Sequence, residues 1–211
     1  MRGWRVRTTG AFVAGMIATL LTGAAFAADA TVGSVLAARG AVFVETTGGR
    51  QPAASNAPVY RGDTIVTAAG KAKIALDDGS IISVGENSRV RIADYDNTAD
   101  NARTRLGLIS GVLRLLVARV TPSGKFEVET ETAIAAVRGT DWVIEAAPDL
   151  TSVALVSGVV AVSGRDGQSQ ASVVLDTPGQ GTDVRRGEAP IPAVRWGAQR
   201  FTTTVARATF E

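Results

Sequence analysis

The sequence contains no cysteine and no histidine. Without cysteine there can be no disulfide, no thiolate nucleophile and no lipid-modified N-terminal cysteine, so stability must come from packing. Without histidine, imidazole general acid–base catalysis, His/Cys zinc sites and the usual serine and cysteine triads are excluded. Lysine is also scarce. It occurs only as Lys71, Lys73 and Lys125, each flanking or outside a predicted strand, which leaves no obvious place for a buried lysine of lowered pKa. No long apolar run follows the N-terminal one.

That first run has the order of a secretory leader. Arg2, Arg5 and Arg7 form a basic start, Ala11–Leu21 is apolar, and Ala25-Phe-Ala27 is a small-x-small cleavage site. The expected boundaries are residues 1–27 for the signal peptide, 28–184 for a β domain, and 185–211 for a linker and C-terminal helix. The leader also explains the charge. Losing its three arginines turns a formal +2 into −1, so the basic balance is not a nucleic-acid signal. With the leader removed, no transmembrane helix is expected, and the protein should be periplasmic or secreted.

What remains reads as an all-β chain. Short runs alternate between apolar and polar residues and are separated by turn signals about every ten residues. Ala72, Ile74 and Leu76 share one face, as do Val90 and Ile92, and Phe126, Val128 and Thr130. Around Asp77-Asp78-Gly79 a three-residue hairpin loop pairs Ile74 with Ile82 and Ala72 with Val84, which keeps the apolar face intact and needs Gly79 in the left-handed region. Leu106–Val120 predicts two strands meeting near Ser110-Gly111, because two glycines weigh against a helix. Val173–Leu175 reads as the last strand. Beyond Arg185, Pro192 predicts a helix start, with Val194, Ala198, Phe201, Val205 and Ala208 at helical spacing, capping an open sheet edge. Asp94–Asn101 is the one long polar loop; it lacks the EF-hand pattern and reads as a solvated connector rather than a calcium loop.

Several motifs in order resemble the FecR domain: Gly62-Asp63 before Ile65 and Thr67, then Leu76 with Asp78-Gly79-Ser80, Gly111-Val112, Val137-Arg138-Gly139-Thr140, and Gly158-Val159. The resemblance covers about Gly33 to Val184 and implies a short β-solenoid or β-roll, with a two-sheet sandwich as the alternative. Each motif also has a plain structural role. Asp63 can accept backbone N–H bonds in a turn, Gly139 can adopt a positive φ, and Arg138 can clamp a carboxylate bidentately.

The resemblance implies regulators in which a cytoplasmic helical segment holds a sigma factor ahead of a membrane helix. The leader-like start here predicts the exported module alone, with no cofactor and no enzymatic activity, binding an envelope protein or glycan. Sigma-factor regulation of the iron-citrate uptake type is the alternative. A glycan-active enzyme would need two carboxylates facing a cleft, and Asp77, Asp78 and Glu86 are the nearest in sequence. Partner binding is expected at Arg89, Arg91, Arg103 and Arg105, which flank the polar loop.

Overall fold

The computed structural model describes residues 1, 31–98, 102–118, 124–165 and 171–210. The expected leader lies outside the described residues. The strands are β1 (Thr31–Thr46), β2 (Gly49–Pro52), β3 (Pro58–Tyr60), β4 (Thr64–Leu76), β5 (Ile81–Val84), β6 (Arg89–Asp96), β7 (Arg103–Leu116) and β8 (Lys125–Glu129). They continue with β9 (Ala133–Val137), β10 (Asp141–Ala147), β11 (Leu150–Ser157), β12 (Val160–Gly164), β13 (Ser172–Leu175), β14 (Gln180–Arg185) and β15 (Val194–Arg195), followed by the helix α1 (Ala198–Ala208). The all-β expectation and the C-terminal helix are both met.

All strands join one hydrogen-bonded sheet that curls back on itself. Three long strands make the corners. The C-terminal half of β1 pairs with the start of β4, which pairs with β6, while its N-terminal half pairs with the end of β4, which pairs with β5. β7 does the same: its first half lies between β6 and β8, its second between β5 and β10. From β7 onward one layer runs β8, β9, β12, β13 and the other β10, β11, β14, β15. Strands that switch layers at a bend are the usual way such corners are built. Pairing is antiparallel except between β7 and β8.

The two layers enclose one core. Leu106, Val128, Ala135 and Val162 of the first layer form a single buried cluster with Leu113, Trp142, Ile144, Val153 and Leu155 of the second. The period-two pattern thus reports the inward face correctly. The bend in β7 falls at Gly111, whose φ is +94° and whose missing Cβ would sit 2.1 Å from Ser88 Oγ. Only glycine fits that approach.

Three sequence expectations need correction. Leu106–Val120 does not hold two strands: β7 is continuous through Gly111, because a bent strand serves both layers without breaking its ladder. Val173–Leu175 is not the last strand, since β14 and β15 follow. The helix starts at Ala198, not at Pro192; Val194 pairs with Gly181 in β15, and Trp196 is buried, which holds this stretch extended.

The C-terminal segment does two jobs. β15 pairs with the edge of β14, as an edge cap should. The helix instead covers the outer surface of the second layer, where Val205 and Ala208 pack on Val112 and Val143. Lys71 Nζ donates to the carbonyls of Ala206 and Thr209 at 3.2 and 3.1 Å, placing a cation at the negative end of the helix dipole. Arg207 pairs with Glu145, and Arg200 with Asp183, at 2.6 Å each.

Candidate binding face

The motif residues build turns. Asp63 is buried, and its Oδ2 accepts the Tyr60 N–H at 2.9 Å, closing the turn before β4 around the exposed Gly62. In the β4–β5 hairpin Ile74 lies opposite Ile82 and Ala72 opposite Val84, so the loop is the three-residue form, with Gly79 at φ +85°. Asp78 Oδ1 accepts the Ser80 N–H, and Ser80 Oγ accepts the Ala118 N–H, tying the hairpin to the end of β7. Gly139 has φ +67°. Thr140 Oγ1 donates to Val159 O at 2.9 Å, which locks the β9–β10 crossing against the β11–β12 crossing.

A buried threonine network escaped the sequence reading. Thr130 and Thr132 each bring Oγ1 within 2.7 Å of Thr151 Oγ1, and Thr132 also donates to Val184 O at 3.0 Å. It joins the β8–β9 turn to β11 and β14. Only Thr130 had a sequence signal, as the end of an alternating strand.

Arg89, Arg91, Arg103 and Arg105 do share one surface, the outer side of the first layer. Three of them are already engaged. Arg89 forms a bidentate pair with Glu45, Arg103 Nε lies 3.2 Å from Asp94, and Arg105 lies 3.6 Å from Glu129. Arg91 is exposed and stands opposite Gly107, which offers no side chain. Among the described residues it has no ion pair, so the cationic surplus of this region sits there. Asp94 and Asp96 belong to β6 rather than to a loop; Asp96 accepts the Thr98 N–H, which holds its carboxyl below the usual range. Residues 99–101 of the expected loop lie outside the described residues.

Beside the arginines the same outer side turns apolar. Glu127, Ala136, Ala161 and Val174 stand in one row across β8, β9, β12 and β13. Val159 and Val174 are about half exposed, at 48% and 51%. A groove of about 500 Å3 lies over this row, floored by Ala136 and Ala161 and rimmed by Lys125, Glu127 and Arg138. Arg138 is exposed, and among the described residues no carboxylate pairs with it, so the expected internal clamp is not formed.

Asp77, Asp78 and Glu86 do not form a catalytic pair facing a cleft: the first two sit in the hairpin turn and Glu86 is exposed beyond β5. Among the described residues no group of three or more acidic side chains converges as a metal site. No helix there is long and apolar enough to cross a membrane.

Residues 63–161 match the family described as FecR protein. This stretch is a FecR domain. Two crystal structures of a "putative anti-sigma factor" from Parabacteroides distasonis ATCC 8503 share its fold, with TM-scores of 0.52 and 0.53 and 20% identity. Each alignment covers 66% of this chain and 62% of the other, so this chain spans less than two thirds of that protein's length. No curated protein matches the chain significantly. The FecR match begins at Asp63 and ends at Ala161, inside β12, so β1, β3, β13 and β14 add core residues from outside it.

Proposed function

We propose that the chain is an exported, non-catalytic FecR module that binds a partner in the cell envelope as part of a signalling pathway. The FecR domain and the fold shared with a protein described as an anti-sigma factor support a regulator-type role. Export rests on the leader-like start, and the envelope partner is a protein or glycan. One observation carries the binding reading: α1 covers the outer side of the second layer, while the outer side of the first exposes Arg91, Arg138 and an apolar row. A layer that needs its polar side only for solvation has no use for half-exposed valines beside unpaired arginines.

Photo-crosslinking tests this. A benzophenone side chain in place of Arg91 should trap a discrete partner in envelope fractions, while the same group in place of Arg207 on α1 should not. Equal products at both positions, or none at either, would overturn the assignment. A second reading, control of a sigma factor, is favoured by the description of the structural relative. It predicts that deleting the gene changes the output of a sigma-dependent reporter.

A further inference from the structure

The groove on the first layer goes further than the general binding role on which this inference rests, because its shape and charge name an occupant. We propose that it receives an extended, acidic polypeptide segment, with apolar side chains seated on Ala136 and Ala161 and a carboxylate held by Arg138 and Lys125.

Shape comes first. The row Glu127–Ala136–Ala161–Val174 runs across four neighbouring strands, and the residues at its centre are small. Alanines flanked by the larger Val159 and Arg138 make a depression about 500 Å3 in volume. A concave surface does not complement a copy of itself, so an isologous pair would meet hollow to hollow. It fits a projecting chain.

Periodicity selects the kind of chain. On the outer side Ala136 of β9 is followed two residues on by Arg138, just past the strand, and Ala161 of β12 is preceded two residues earlier by Val159, just before it, so groups on this surface recur at every second residue. An extended peptide presents side chains on one face at the same spacing, about 6.5–7 Å. A lipid tail has no such repeat and is bound by enclosing it, whereas this groove lies open along the sheet.

Charge selects the sign. Lys125 and Arg138 are both exposed, and among the described residues neither has an ion pair; Glu127 is the one carboxylate at the rim. The surplus is positive. Arg138 presents a planar fork that suits a carboxylate bidentately, which is where discrimination against a neutral or basic segment arises. The apolar floor supplies area without sequence preference, as an alternating peptide requires.

The probe is a fluorescein-labelled octapeptide of alternating valine and threonine closed by two glutamates, compared with one closed by two lysines. Fluorescence anisotropy with the purified chain should show saturable binding of the acidic peptide and at least tenfold weaker binding of the basic one. Arg138→Glu should weaken the acidic peptide by about tenfold and strengthen the basic one, a reversal that simple unfolding cannot mimic. Val159→Glu, at an exposed site, should weaken the acidic peptide with an unchanged melting temperature. Equal affinity for the two peptides, no saturable binding, or indifference to both substitutions would overturn the proposal. So would concentration-dependent dimerisation abolished by Val159→Glu, which would make a second copy the occupant. If crosslinks from position 91 persist while the groove variants bind peptide normally, only this inference falls. Absence of those crosslinks alongside peptide binding would instead remove the wider envelope role.

Discussion

Replacing Gly111 by alanine tests the corner on which the two-layer arrangement depends. The backbone there has φ +94°, and the added Cβ would lie 2.1 Å from Ser88 Oγ and 2.5 Å from Ser88 Cα. The conformation alone costs about 1–2 kcal/mol for a residue bearing a Cβ. Ser88 must also retreat, and its Oγ accepts the Val112 N–H at 3.0 Å while donating to Glu86 O at 3.1 Å. Leaving the buried Val112 amide without a partner costs about 1–3 kcal/mol more. Together these give about 2–5 kcal/mol, a large share of the ~5–15 kcal/mol that holds a typical domain. In a chain of this size the melting temperature should fall by about 4–20 °C. Gly79→Ala is the control. Its φ is also positive, but the new Cβ meets only Ala118 Cβ at 3.8 Å, so the conformational cost stands alone and the drop should be about 2–8 °C. Thermal melts followed by circular dichroism at 218 nm (a strand signal) measure both. If Gly111→Ala melted no lower than Gly79→Ala, the corner would be soft and the argument from close approach would fail.

Two further outcomes follow from the C-terminal segment and the loop end of β6. Lys71→Met should lower stability by about 0.5–1 kcal/mol, because the helix loses the cation at its C-terminal carbonyls; amide exchange should quicken in α1 before it does in the core strands. Tyr95 carries a buried hydroxyl with no hydrogen bond of good geometry; burial first, then the charges of Asp78 and Asp77, push its phenol up to about 12, only partly offset by the amides of the same turn. Because the folded pKa lies above the unfolded value near 10, the folded state holds the proton longer and stability is lost as pH rises from about 10 through 12. Tyr95→Phe should therefore flatten the fall in urea midpoint over that window while leaving the midpoint at pH 7 nearly unchanged; an equally steep fall would reject the assignment.

The sequence by itself determined the inward faces and the local turns. Alternation places Ile74, Val90, Leu106 and Val128 inside whatever their partners turn out to be, since a strand has only two faces. The hairpin register was legible because a one-residue slip would have put Ile74 opposite Ser83 and broken the apolar face. Asp63, Asp78 and Gly139 were legible for the same reason: turn chemistry acts over a few residues. The pairing of distant strands was not. Nothing local tells β7 that it must serve four partners, and a glycine pair at a corner looks the same as a break between strands. The helix start was hidden because Pro192 and Val194 satisfy a helical pattern that only the burial of Trp196 and the β14 edge override. The arginines show the same division. The sequence placed all four beside the polar loop, but Glu45 and Glu129 reach Arg89 and Arg105 from other strands, so only the tertiary fold decided that, of the four, Arg91 has no ion pair among the described residues. Faces and turns are set within a strand's own length, while partners are set by the closure of the sheet.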